Sequence, residues 1–174
     1  MRSAEIAKYA EAYQRPGYAM GDERRAAVAR ILAGTKPGTL IDVGTGRGET
    51  LAMAAAAGFT VLAGTEVVPA LCGGLVVYAE AWALPFADQS ADLVTCFDVL
   101  EHLLHDDQPL ALAELVRVGR EVIVTAADYS HFEHGVEYHV GRRPYPEWES
   151  MLQAFGTVEP LGWCGSAMGW RVHD

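Results

Sequence analysis

Leu40-Ile41-Asp42-Val43-Gly44-Thr45-Gly46-Arg47-Gly48-Glu49 decides how this chain is read: a short apolar strand runs into three alternate glycines, with a carboxylate two residues before the first. Glycine at these positions lets the backbone turn tightly and approach a ligand, since a side chain would fill the space or forbid the turn. A dinucleotide-binding loop would carry glycine where Glu49 stands, so that a pyrophosphate could rest on the following helix. With Asp42 and Glu49 on either side, the loop is a poor cradle for a diphosphate. The charges suit instead a ligand with a nucleoside at one end and a cationic portion at the other.

Working outward, strands alternate with helices, the pattern of a parallel sheet. Strands are expected at Thr39–Val43, Thr60–Gly64, Leu75–Tyr78, Asp92–Phe97 and Glu121–Thr125, with helices at Glu49–Ala57 and Gln108–Val118. Two helices precede the first strand: one from a Ser3 cap through Tyr13, ended by Arg15-Pro16-Gly17, and one over Asp22–Ala33, ended before Gly34 and Pro37. Residues 126–143 read as an irregular polar stretch too long for an ordinary connection and therefore functional. Pro144 suits the first turn of a helix to Phe155, and two further strands are expected at Thr157–Trp163 and Ala167–Val172.

Three later segments follow the glycine loop in order: Phe59-Thr60-Val61-Leu62-Ala63-Gly64-Thr65-Glu66, a second strand ending in an acid; Ala79-Glu80-Ala81-Trp82-Ala83-Leu84-Pro85-Phe86-Ala87-Asp88; and Ser90-Ala91-Asp92-Leu93-Val94-Thr95-Cys96-Phe97-Asp98-Val99-Leu100-Glu101-His102-Leu103. In these motifs, from about Thr39 to Thr125, the chain resembles the class I S-adenosylmethionine-dependent methyltransferases, in particular the small "methyltransferase 11" type. The resemblance implies a Rossmann-like three-layer α/β/α sandwich: a mostly parallel seven-stranded sheet closed by an antiparallel C-terminal hairpin whose last strand inserts between its neighbours. It further implies a single domain over residues 1–174, with residues 1–36 forming N-terminal helices and a lid, and residues 126–143 a substrate-side loop.

For the cofactor, S-adenosylmethionine with S-adenosylhomocysteine as product, the resemblance places Asp42, Gly44, Thr45, Gly46 and Gly48 around the methionine half. There Asp42 answers the positive charge, or pins the loop by accepting its amides. Glu66 is placed to accept both ribose hydroxyls, and Val67 to pack on the adenine. Glu80 stands where the family receives the exocyclic amine, usually on a shorter aspartate. Ala81 offers a backbone amide, Trp82 either stacks on the ring or seals the surface, and Phe97 and Asp98 line the methionine portion near the methyl. Arg47 is read as solvent-facing.

Acceptor residues are less constrained. His139 is a candidate general base near neutral pH. His102 is a second catalytic candidate, with packing or capping the favoured reading. Tyr13, Tyr18, His131, Tyr138, Arg142 and Arg143 are candidate substrate contacts, the arginines for a carboxylate or phosphate. The tract His131-Phe132-Glu133-His134-Gly135-Val136-Glu137-Tyr138-His139 invites a metal reading, but its spacings match no compact site, and no metal is expected. The expected activity is methyl transfer to an oxygen, nitrogen or carbon of a small molecule, nucleotide or small group. Two alternatives stay open: a binding protein without turnover, and an enzyme that uses the same cofactor as a lyase or for aminocarboxypropyl transfer.

Composition narrows the partners. The formal charge of −10 disfavours DNA and RNA, because phosphate contacts would be made against a repulsive field. No asparagine/aspartate-proline-proline-aromatic run follows the fourth strand, where Phe97-Asp98-Val99-Leu100 stands, which weakens a nucleobase-amine reading. Cys72, Cys96 and Cys164 are scattered and odd in number, as expected of a reducing, cytoplasmic setting. The apolar run Leu51–Ala57 stops at Gly58, far short of the roughly 20 residues a membrane span needs. A monomer or homodimer is expected.

Overall fold

The Thr39–Val43 segment forms strand β1 in the interior of the sheet, in a computed structural model that describes residues 2–15 and 18–174. Pro16 and Gly17, expected to close the first helix, lie outside the described residues. That helix, α1, spans Arg2–Ala12, and α2 spans Asp22–Ala33. After β1 come α3 (Glu49–Ala56), β2 (Thr60–Glu66), β3 (Val76–Tyr78), β4 (Ala91–Phe97), α4 (Gln108–Val118) and β5 (Gly119–Ala126). A short hairpin of β6 (Phe132–Glu133) and β7 (Val136–Glu137) precedes α5 (Tyr145–Gln153), β8 (Thr157–Cys164) and β9 (Ala167–His173).

The strand order is β3-β2-β1-β4-β5-β9-β8, parallel from β3 through β5, with β9 antiparallel to both β5 and β8. The expected insertion of the last strand is what forms. Order reverses between β1 and β4, so a crevice opens beyond their carboxyl ends, where open α/β sheets take ligands.

Period-two alternation assigns each strand residue to a layer. Ile41, Val43, Val94, Cys96, Val122 and Val124 face α4 and α5, packing with Leu112, Leu115, Trp148 and Leu152. Leu40, Leu93, Phe97 and Ile123 face α2 and α3, packing with Val28, Ile31, Leu32 and Ala54. Both faces of the sheet are thereby dry, and its rigid strand ends fix the site.

Residues 126–143 depart from expectation. The stretch is not irregular throughout: Glu133 pairs with Val136 across a two-residue turn in which His134 (φ 50°) and Gly135 (φ 80°) are both left-handed. Turns with positive φ at both central residues match the twist of a hairpin, a signal the histidine-rich composition masked.

Candidate functional site

The glycine loop leaves β1 with positive φ at Gly44 (74°), Gly46 (55°) and Gly48 (79°). A Cβ on Gly44 would run into a Val99 methyl, and one on Gly46 would lie 2.5 Å from the Tyr13 hydroxyl. The Gly44 and Thr45 amides both donate to the Thr65 carbonyl at 2.9 Å, tying the loop to β2. It borders a cleft of about 680 Å³ at the β1/β4 reversal, within the range of about 300–1,000 Å³ usual for small-molecule sites.

Three acids serve this cleft. Asp42 is buried and accepts a 2.6 Å hydrogen bond from the Thr95 hydroxyl on β4. Burial pushes its carboxyl up to about 7, with Glu66 adding to the rise and the Thr95 bond opposing it. Glu66, also buried, accepts from the Gly46 amide on Oε2 (2.9 Å) and from the Val67 and Val68 amides on Oε1 (2.7 and 3.1 Å). Burial raises its pKa against those three bonds. Having two acceptor positions per oxygen, Glu66 keeps a position on Oε2 for a ligand while it pins the loop. Glu80 lines the same wall, followed by Ala81 and Trp82.

The far end of the cleft is polar and aromatic. Asp98, at the end of β4 with φ 55°, accepts from the Thr125 hydroxyl at 2.6 Å and pairs with Arg24, which reaches in from α2. His102 and His139 face each other with ring centroids 4.9 Å apart, and His131 lies 5.2 Å from His139. His102 Nδ1 is 2.9 Å from the Tyr138 carbonyl and His139 Nδ1 is 2.7 Å from the Tyr129 carbonyl. A carbonyl only accepts, so each Nδ1 carries a proton and each Nε2 a lone pair. Burial holds both imidazoles neutral, lowering His102 to about 3 and lowering His139 as well.

Helix α1 and the turn after it close one side. Tyr9 donates to the Tyr138 carbonyl at 3.2 Å, Lys8 Nζ to the Glu137 carbonyl at 3.0 Å, and Arg15 pairs with Glu133 at 3.0 Å, so α1 is fastened to the β6–β7 segment. Arg47 is exposed, as expected of a solvent-facing residue, yet it donates to the Tyr13 carbonyl at 2.6 Å and the Tyr18 carbonyl at 3.4 Å.

Residues 41–121 match the family model described as "Methyltransferase domain". This segment is similar to a methyltransferase domain. The fold around it is that of the class I S-adenosylmethionine-dependent methyltransferases. Burkholderia thailandensis 1,6-didemethyltoxoflavin-N1-methyltransferase, solved with 1,6-didemethyltoxoflavin and S-adenosylhomocysteine bound, superposes with a TM-score of 0.74 at 18% identity, over 99% of this chain and 89% of that one. The PH0226 protein from Pyrococcus horikoshii OT3 gives 0.72 at 14% identity, over 86% and 89%. Magnesium protoporphyrin IX methyltransferase from Synechocystis PCC 6803, solved with S-adenosylhomocysteine, gives 0.64 at 16% identity, over 99% and 95%. No curated protein matches the chain.

The cleft gathers Asp42, Gly44, Thr45, Gly46, Glu66, Val67, Glu80, Ala81, Trp82, Phe97 and Asp98, together with Tyr13 and Tyr18 beside the glycine loop and His102, His131 and His139 at the far end. Other residues expected at the site stand elsewhere. Gly48 turns the chain into α3 behind the loop. Tyr138 is buried and contributes its carbonyl, not its hydroxyl, to His102. Arg143 Nε donates at 2.6 Å to buried Gln108, and Arg142 points to Glu137 at 3.9 Å. Neither arginine lines the cleft: buried Gln108 holds Arg143, and Arg142 is exposed beside Glu137.

The sequence reading missed Thr95, Arg24, Arg47 and Tyr129. Arg24 had a signal: it shares one helix face with Ala27, Val28 and Ile31, all buried, so a charge there needs a partner. Thr95 faces Asp42 only through strand register.

Proposed function

We propose that this protein transfers the methyl group of S-adenosylmethionine to a nucleophilic atom of a small acceptor, with residues 1–174 acting as one catalytic unit. The observation that carries the reading is a close-approach glycine loop walled by acids, Asp42, Glu66 and Glu80, at the β1/β4 reversal. That set of acceptors fits a ligand with hydroxyls and amines to donate and a positive charge to place, and it opposes a diphosphate.

Asp42 would hold the cationic methionine end, and Glu66 a ribose hydroxyl on its spare acceptor position. Glu80 and the Ala81 amide would receive the adenine edge, with Val67 and Trp82 covering its faces. The bound cofactor supplies an electrophilic methyl carbon on sulfonium. What the chain adds is alignment and dryness: positioning a nucleophile in line is worth many powers of ten without acid–base help. Tyr13 and Tyr18, edge to face with centroids 4.9 Å apart, cover the cleft beside the glycine loop and would shut out water with α1 as the lid. A neutral His139 has an Nε2 lone pair to take a proton from an acceptor hydroxyl or amine, while His102 and His131 shape the pocket around it. Several solved relatives of this fold have small molecules in their names, and the enclosed polar end of this cleft suits an acceptor of that size. The isolated thiols Cys72, Cys96 and Cys164 support a reducing compartment.

Incubating the protein with S-adenosylmethionine and fractions of small-molecule extract, and measuring S-adenosylhomocysteine by mass spectrometry, tests the proposal. Acceptor-dependent S-adenosylhomocysteine supports it. Methylthioadenosine as the sole product would reassign the chemistry to aminocarboxypropyl transfer or lysis.

A further inference from the structure

One donor atom from each of Glu101, His102 and His139 lies within 4.8 Å of the other two, at the acceptor end of the cleft. Glu101 is fully buried; its Oε1 accepts from the Ala127 amide at 3.1 Å, while Oε2 is buried with no hydrogen-bond partner among the described residues. The Nδ1 atoms of both histidines are spent on the Tyr138 and Tyr129 carbonyls, so the nitrogen each ring can offer is Nε2. A buried carboxylate with an unsatisfied oxygen and two imidazoles that each keep an Nε2 lone pair therefore stand together, an arrangement that costs energy unless a cation or a proton fills it.

We propose that Glu101, His102 and His139 form a binding site for a first-row transition-metal dication. Two imidazoles and one carboxylate are the ligand set of open, catalytic zinc and iron sites. Each ligand already has its supporting partner: both histidines donate their second nitrogen to a backbone carbonyl, and the carboxylate is held by an amide. Burial keeps the imidazoles neutral, the form that ligates, and raises Glu101 to about 7, a rise that a bound cation would reverse. Closing the ligands to roughly 3.3 Å apart, the spacing of a tetrahedral site with bonds of about 2.0–2.1 Å, takes a movement of at most about 1.5 Å from separations within 4.8 Å. His102 and His139 line the cleft, so the remaining positions would open toward the acceptor. Arg24 and Lys8 are the nearby positive groups, and Arg24 is occupied by Asp98.

The consequence for the reaction rests on the methyltransferase reading; the binding of the cation does not. With the cation bound, the His139 Nε2 lone pair is spent on it and no longer serves as the base; an acceptor hydroxyl on the cation would instead lose its proton to solvent more readily. Its oxygen lone pair would then form the new C–O bond as the methyl carbon–sulfur bond breaks, the electron pair returning to sulfur. The sequence spacing had argued against a metal because it counted the histidine tract alone; Glu101 and His102 come from the other side of the fold.

The test titrates the tag-free, metal-free protein with Co2+, reading its visible absorption, and with Zn2+ and Mg2+ by calorimetry. One equivalent of Co2+ should bind with visible bands, Zn2+ should displace it, and Mg2+ should bind at least about 100-fold more weakly. Glu101→Gln and His139→Ala should each weaken Co2+ by about 100-fold or more, while His105→Ala, an exposed control, should not. Should a variant fail to fold, 15N-histidine spectra of the wild type decide: Zn2+ should shift the Nε2 signals of His102 and His139 and leave both Nδ1 atoms protonated. No stoichiometric binding, or Zn2+ that leaves those signals unmoved, overturns the proposal and leaves a protonated Glu101 as the occupant of the gap. S-adenosylmethionine affinity, measured on the metal-free protein, separates failure here from failure of the cofactor reading.

Discussion

Replacing Asp42 by asparagine isolates its charge, because the amide keeps the shape and can still accept from Thr95. In the empty protein burial holds the carboxyl near 7 against an ordinary value of 3.8. A carboxyl whose folded-state value is raised contributes stability that is fully present below pH 4 and lost as pH rises through 7. That difference is worth about 4 kcal/mol at most. A cationic ligand needs the ionised form, so affinity follows the ionised fraction, which falls from about 0.9 at pH 8 to about 0.1 at pH 6. The wild type should therefore bind S-adenosylmethionine about tenfold more weakly at pH 6 than at pH 8, or about 1.4 kcal/mol. Asp42→Asn should bind more weakly at pH 8, lose this slope, and melt higher than the wild type at pH 8 without ligand. Calorimetry at pH 6, 7 and 8 with differential scanning measures all three. The ligand's own amine titrates nearby but cancels in the ratio of wild type to variant. Wild-type affinity with no more pH slope than the variant's, or an asparagine variant that binds as tightly at pH 8, refutes the assignment of Asp42 to the cationic end.

Gly46→Ala puts a methyl against Tyr13 at a φ of 55°; the left-handed strain alone costs about 1–2 kcal/mol. It should weaken S-adenosylmethionine at least tenfold by equilibrium dialysis. Gln108→Ala removes the side-chain donor to the Leu100 and Gly141 carbonyls, of which Leu100 keeps the Leu103 amide, and frees Arg143. A loss of about 2–3 kcal/mol is expected, seen as a melting temperature roughly 5–10 °C lower. Arg47→Ala releases the Tyr13 and Tyr18 carbonyls and should raise the KM for S-adenosylmethionine about fivefold with kcat little changed, in steady-state assays.

What the sequence showed and what it hid divide along the range of the interactions. The run to Gly48 was legible because its constraint is local: three positive φ values and a strand end leave few residues possible. Strand alternation was legible for the same reason, each of Leu40, Ile41, Leu93 and Val94 declaring a face by its position. Glu66 was legible as a strand-end acid, but its bond from the Gly46 amide depends on how the loop folds back across 20 residues, while those from Val67 and Val68 are local. His139 and His102 meet only because β5 and the β6–β7 segment carry the chain back over the end of β4. Arg142 and Arg143 looked like anion binders because a sequence shows charge without its partner, and Gln108 lies 35 residues away.

The central claim is that the acid-walled cleft at the end of β1 takes a positively charged sulfur nucleoside. Calorimetric titration of the purified protein with S-adenosylmethionine, S-adenosylhomocysteine and NAD+ tests it most directly. One equivalent each of the first two, with competition between them and no heat from NAD+, is the predicted result. Silence with S-adenosylmethionine, or a dinucleotide that binds in its place, would contradict it.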